Sequence, residues 1–298
     1  MWEGFSQDQA SGLRQMARQR PVRVICVASG KGGVGKTNIT VNLGTALVKQ
    51  GRQAMIMDAD LGLANVDVML GINPPYTLAH VLTGERELAE VITTTPGGLH
   101  VVPATSGTQT MAELSPMQHA GIVRAFSELA MDLDVLLVDT AAGLSDSVIT
   151  FSKAAQEVVV VVCDEPASIT DAYALIKVLT RDHGVERVRI LANMVNTVRE
   201  GQRLYEKMAR VTDHFLCVEL DFMGLVPRDD ALRRAVNRQQ PVVEAFPDSR
   251  SAQAFRMLAQ KIDKWPMPRS AGHLEFFAER LVGRAGGWGG GGSASAGW

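Results

Sequence analysis

Gly30-Lys31-Gly32-Gly33-Val34-Gly35-Lys36-Thr37 is the stretch whose reading decides the fold. It runs glycine, four residues, glycine, lysine, threonine, which is the pattern of a loop that wraps phosphate. Its four glycines let the backbone bend tightly and aim amides at phosphate oxygens. The predicted cradle is Gly30, Gly32, Gly33, Val34, Gly35, Lys36, Thr37 and Asn38. Lys36 is placed to meet the β- and γ-phosphates, and the Thr37 hydroxyl to ligate Mg²⁺. The context agrees: an apolar run, Val22 to Ala28, precedes the loop, and Ile39, Leu43, Ala46 and Leu47 follow at helical spacing. The bland alternative is a glycine-rich turn between a strand and a helix. Strand, loop, Lys-Thr and helix together imply a bound nucleoside triphosphate.

Outward from the loop, strand-like and helical runs alternate. Strands are expected at 22–29, 53–58, 98–103, 134–139, 157–163, 187–193 and 219–226, several as unbroken Val, Leu and Ile. Such runs suit a parallel sheet covered on both faces. Helices are expected at 38–50, 116–131, 169–182, 199–213, 231–238 and 250–264. The alternation predicts one α/β domain over 21–265 with a doubly wound, mostly parallel sheet. Residues 1–20 form a polar arm, 272–284 an amphipathic segment, and 285–298 a Gly/Ser/Trp-rich tail expected to be disordered. The 298 residues carry a formal net charge of −2, so no global field argues for nucleic acid. Cys26, Cys163 and Cys217 are far apart and form no CxxC pair, so buried thiols in a reducing cytoplasm are expected. No signal-peptide core and no bilayer-length apolar run is present.

The predicted chemistry sits at strand ends. The second strand closes in Met57-Asp58-Ala59-Asp60. Asp58 is a candidate to hold a Mg²⁺-bound water, and Asp60 to orient or deprotonate an attacking water, although both can instead cap the next helix. Asn65 is open between a cap and a switch contact. Leu136-Leu137-Val138-Asp139 is an apolar strand ending in a carboxylate, so Asp139 is read as completing the Mg²⁺ shell and Gly143 as offering its amide to the γ-phosphate. Asn193, Pro227 and Asp229 end later strands where a base can sit; a turn Asn and a turn Pro are the plain alternative. Lys31 is poorly placed to fold back on its own nucleotide. It is placed to reach a partner's phosphates across a two-fold axis, as an arginine finger does in trans.

With that second lysine the chain resembles the deviant phosphate-loop ATPases that include MinD and ParA. The resemblance implies Lys31 as signature lysine, ATP-dependent dimerisation, and catalysis by Lys31, Lys36 and Asp60. More residues point to one branch. Asp8-Gln-Ala-Ser-Gly-Leu-Arg14, Asp60-Leu-Gly-Leu-Ala-Asn-Val-Asp67, Ser106-Gly-Thr-Gln109, Leu114-Ser-Pro-Met-Gln-His-Ala120 and Cys163-Asp-Glu-Pro-Ala-Ser-Ile-Thr-Asp-Ala-Tyr173 look like the FleN/FlhG regulators of flagellar number. In that family the first element, centred on Gln9, activates a flagellar signal-recognition-type GTPase, and a flagellar transcription activator is a further partner. Leu274, Phe277, Ala278 and Leu281 recur at helical spacing within 272–284. Such a helix can lie on a membrane or dock on its own domain; the resemblance implies a nucleotide-gated anchor on the inner face of the cytoplasmic membrane. The alternatives are MinD itself, against which the arm speaks, and a ParA-like DNA carrier using Arg228, Arg233, Arg234 and Arg238. A nitrogenase-type iron protein is disfavoured by the cysteines.

Overall fold

A computed structural model of the chain describes residues 21–63, 65–104, 114–266 and 275–277. Its core is one eight-stranded sheet: β1 (Arg23–Ser29), β2 (Ala54–Ala59), β3 (Thr93–Thr94), β4 (His100–Val102), β5 (Val135–Ala142), β6 (Glu157–Val162), β7 (Arg187–Val195) and β8 (Glu219–Pro227). The order across the sheet is β3-β4-β2-β5-β1-β6-β7-β8. Every neighbouring pair is parallel except β3 with β4. The doubly wound, mostly parallel α/β sheet expected from the sequence is present.

The direction in which the chain adds strands across the sheet reverses at β1. The chain leaves β1 toward β2 and β4, returns to insert β5 beside β1, then builds outward through β6, β7 and β8 on the other side. Ligands of such sheets collect beyond the strand ends at this reversal, which is where the loop after β1 lies. The glycine-rich loop feeds α1 (Lys36–Lys49), two residues earlier than expected, so Lys36 and Thr37 are in its first turn. The remaining helices are α2 (Val66–Leu70), α3 (Leu78–Leu82), α4 (Leu88–Val91), α5 (Pro116–Ser127), α6 (Asp146–Ala154), α7 (Pro166–Arg181), α8 (Val198–Phe215), α9 (Asp230–Asn237), α10 (Val242–Ala245) and α11 (Arg250–Asp263). Alternate residues of β1 serve opposite faces. Ile25 and Val27 pack with α1 and α11, while Cys26 and Ala28 pack with α7. A second layer on that latter side, with Phe126 of α5 and Phe151 of α6, covers the β2 half of the sheet.

The C-terminal exit is fixed by charge. Glu157 accepts from Arg189 Nε at 2.9 Å, and Arg189 lies 3.9 Å over the Trp265 ring. Arg23 donates to the carbonyls of Trp265 and Pro266. Residues 275–277 then dock between α5 and α6. The helix expected over 272–284 does not run through them: Phe276 and Phe277 form a turn, and Phe277 has φ 56°, outside the α region. Both rings are fully buried, Phe276 edge-on to Phe126 at 5.5 Å. The arm at 1–20, Ser106–Gln109 and the tail at 285–298 lie outside the described residues.

Candidate functional site

The loop after β1 turns its two lysines in opposite directions. Lys36, only 8% exposed, donates from Nζ to Ser29 Oγ at 3.0 Å. Burial pulls its pKa down, while Asp139 and Asp60 oppose that shift. Ser29 Oγ in turn donates to the Lys31 carbonyl at 2.8 Å, so one serine braces both ends of the turn. Lys31 points out of the site, to Glu165 Oε2 at 2.7 Å. Gly35 has φ 89°, and a Cβ there would fall 2.7 Å from Asn193 Nδ2. Glycine at 35 therefore serves both the left-handed turn and the close approach of β7.

Asp58 and Asp139 are register partners on β2 and β5, both buried. Asp139 Oδ1 accepts from Thr40 Oγ1 at 2.9 Å. The Thr37 hydroxyl lies near enough to draw the carboxyl's pKa down, yet no bond of ordinary geometry reaches Oδ2, which is buried with no partner among the described residues. Desolvation pushes the Asp139 pKa up to about 6. An orphaned buried carboxylate oxygen beside a threonine hydroxyl and a lysine is an unmet demand for a cation. Mg²⁺ binds through one or two carboxylates plus phosphate oxygens and water, so Thr37 and Asp139 fit it, with phosphates held by Lys36 and the loop amides.

Other expected residues make bonds of their own in this conformation. Asp58 accepts from the amides of Asp60 at 3.1 Å, Asn65 at 3.1 Å and Val66 at 3.2 Å. It therefore serves as the cap of α2, and burial followed by the nearby Asp139 raises its pKa well above the usual range. Asn65 is the N-cap residue of α2, with its side chain turned to the Leu63 carbonyl. Asp60 accepts the Leu63 amide at 3.2 Å, on a turn at the mouth of the site. Asn38 accepts from Asn42 at 2.8 Å along α1.

Three further expected residues make other contacts in this conformation. The Gly143 amide donates to Ser29 O at 2.9 Å, tying the end of β5 to β1 and leaving no free N–H for a γ-phosphate in this conformation. The Asp229 carboxylate is consumed by Ala231 N at 2.9 Å, Ser251 N at 2.9 Å and Ser251 Oγ at 3.0 Å, so it joins α9 to α11. Burial alone would raise its pKa; these donors outweigh it and hold the carboxyl low. Pro227 ends β8 and lines an apolar groove with Val198 and Met257 along the sheet edge, a groove that contains no phosphate-loop residue. Asn193 remains poised: Nδ2 donates to Val34 O at 2.7 Å, and its buried Oδ1 has no partner among the described residues. Ser29, Thr40 and Glu165 were missed, because nothing in a strand-end serine, a mid-helix threonine or a turn glutamate marks which distant residue it meets.

A family model described as ParA, the NUBPL iron-transfer P-loop NTPase, matches residues 21–263. The antiactivator FleN of Pseudomonas aeruginosa is 58% identical over 271 residues, covering 91% of this chain and 97% of that protein. The chain belongs to the ParA/MinD family of P-loop ATPases, in its FleN/FlhG branch. The flagellum site-determining protein YlxH of Helicobacter pylori is 31% identical over 265 residues, covering 87% and 90% of the two chains. Among solved structures, MinD of Pyrococcus horikoshii complexed with Mg-ADP superposes with a TM-score of 0.69 at 26% identity, covering 82% of this chain and 97% of that one. This FleN/FlhG-branch ATPase has, among its described residues, no helix long and apolar enough to cross a membrane.

Proposed function

We propose that the chain is a regulatory switch that dimerises with Mg²⁺-ATP, hydrolyses it to ADP and phosphate, and thereby sets flagellar number or placement. One observation carries the reading: a single loop holds Lys36 buried inward on Ser29 and Lys31 half-exposed outward. An inward lysine neutralises its own nucleotide. An outward one is placed to reach a second copy's phosphates, which would make hydrolysis a property of the dimer. Mg²⁺ would supply charge neutralisation on the phosphates; Asp60, on a turn just outside β2, orients the attacking water.

The outputs are partner contacts. The arm at Asp8–Arg14, centred on Gln9, engages a flagellar signal-recognition-type GTPase. The name of the 58% identical relative, an antiactivator, supports a flagellar transcription activator as a second partner. The protein works in the cytoplasm and associates reversibly with the inner face of the membrane through 272–284. Support for that gating comes from α6. Its N-cap Ser145 follows the Gly143 loop, and the Ala154 carbonyl at its far end accepts the Phe276 amide at 3.1 Å. A shift of the loop on binding nucleotide therefore reaches the docked phenylalanines along one helix. A ParA-like DNA role is weaker, since Arg234 and Arg238 lie over the Phe246 ring at 4.6 and 5.0 Å.

Sedimentation with ATP and Mg²⁺ tests the switch. Lys36→Ala should bind no ATP, Lys31→Ala should bind it without dimerising, and Asp60→Ala should dimerise while turnover falls about 100-fold or more. A Lys31→Ala protein that dimerises and hydrolyses normally refutes the trans lysine. A peptide of residues 1–20 should stimulate the GTPase, and Gln9→Ala should abolish that stimulation.

A further inference from the structure

Lys31 is engaged before any partner arrives. Its ammonium meets Glu165 Oε2 at 2.7 Å, with side-chain exposures of 38% and 60%. Glu165 is the N-cap residue of α7, with extended backbone, and its side chain makes no cap bond to its own helix. A carboxylate at that position ordinarily serves the open amides of the first turn; this one crosses to the phosphate loop instead. The backbone brings the two together. Gly30 lies so tightly on α7 that a Cβ there would fall 2.1 Å from the Asp171 carbonyl, which sets Lys31 alongside the start of that helix. The bond holds the lysine's pKa above its ordinary value and the glutamate's below it.

We propose that Glu165 is a restraint in cis that keeps Lys31 from a second copy's phosphates and so sets the threshold for dimerisation. The inference rests on the trans-lysine reading above. To reach across an interface, Lys31 must leave Glu165, and leaving uncovers a carboxylate on the face that receives the partner's phosphates. Both effects weigh against the dimer. An exposed ion pair shifts an equilibrium by about 1.4- to fivefold. A two-fold dimer breaks two such pairs, so the restraint tunes assembly over about two- to twenty-fivefold without blocking it.

The test is sedimentation of the full chain with ATP and Mg²⁺ across a protein dilution series. The proteins are wild type, Glu165→Gln, Glu165→Ala, Lys31→Ala and the Lys31→Ala/Glu165→Gln pair. Both Glu165 variants should melt no more than about 4 °C below wild type, remain monomeric without nucleotide, and dimerise about two- to twenty-fivefold more tightly with ATP. The pair should stay monomeric, because removing the restraint is useless once the lysine is gone. Unchanged or weaker dimerisation of Glu165→Gln and Glu165→Ala overturns the proposal and leaves the trans lysine standing. Dimerisation of the double variant overturns it too, by assigning the gain to surface charge. Normal dimerisation of Lys31→Ala sinks the underlying reading itself, a result separable from the other two.

Discussion

Phe276→Ala asks how firmly the C-terminal segment is held. The ring is fully buried, 5.5 Å from Phe126 edge-on and 6.2 Å from Phe151 in a stack. In a rigid site, truncating such a ring costs about 3–5 kcal/mol. Here a second route exists, because residues 275–277 can undock instead of leaving a cavity, so the loss cannot exceed what docking contributes. Two buried rings contribute about 3–6 kcal/mol. Three hydrogen bonds add about 3 kcal/mol: Phe276 N to Ala154 O, Gln156 Nε2 to Phe276 O and Phe277 N to Ser127 Oγ. Ordering three residues costs about 3–6 kcal/mol. The net is about 3 kcal/mol, which for a domain of this size lowers Tm by about 6–12 °C. Melting curves and timed proteolysis of the full chain measure both consequences: Phe276→Ala should melt lower and be cut faster between Trp265 and Arg284. Phe126→Ala should lose about 3–5 kcal/mol, since α5 cannot leave. An unchanged Tm and an unchanged cleavage rate for Phe276→Ala would refute the docked geometry.

Gly30→Ala should abolish nucleotide binding, because its Cβ would meet the Asp171 carbonyl at 2.1 Å and the α7 backbone cannot retreat, whereas Gly32→Ala, with its nearest neighbour at 3.9 Å, should fold and melt normally; isothermal titration and melting separate them. Asp139→Asn should lose Mg²⁺-dependent hydrolysis yet melt higher than wild type in EDTA. The native carboxyl, with a pKa of about 6 against an unfolded 3.8, holds its proton more tightly than the unfolded chain does, so stability falls as pH rises between those values. The full cost above pH 6 is up to about 3 kcal/mol, and an Asn variant that melts lower at pH 7.5 would contradict it. His119 carries the opposite sign. Burial lowers its pKa, so the unfolded chain takes up the proton first and stability falls as pH drops below the ordinary imidazole range. His119 Nε2 meets Ser147 Oγ at 3.0 Å between α5 and α6, and His119→Gln should flatten the acid limb of a Tm-against-pH curve.

What the sequence made legible follows from where the information is stored. Strands buried on both faces read as unbroken runs of Val, Leu and Ile, which is why β1, β5, β6 and β7 stand out. The helices of four or five residues, α2, α3, α4 and α10, are too short to display a period. The helix α6 was hidden for another reason: Asp146-Ser-Val-Ile-Thr-Phe-Ser-Lys-Ala154 buries Ser147 and Ser152 along with Val148, Ile149 and Phe151, so polarity does not mark its outer face. At the site, Lys36, Thr37 and Asp139 were readable because each follows directly from a strand end or the loop. Their partners were not, since Thr40 to Asp139 and Lys31 to Glu165 join residues 99 and 134 apart.

At Phe276 and Phe277 the chain departs from helical spacing for a packing reason. Helical spacing puts Phe277 in an apolar stripe with Leu274, Ala278 and Leu281, and Phe276 broadens that face. On a helix adjacent side chains diverge by about 100°, so a slot between two other helices admits one ring of such a pair more readily than both. The structure buries both against Phe126, and it does so by turning at Phe277 with φ 56°. A non-glycine residue in that conformation is sustained only where surrounding contacts compensate for it. Here those contacts are the aromatic slot and the Ser127 hydroxyl at 3.0 Å from the Phe277 amide. The turn at Phe277 is therefore set by the slot that receives the two rings rather than by the segment's own spacing.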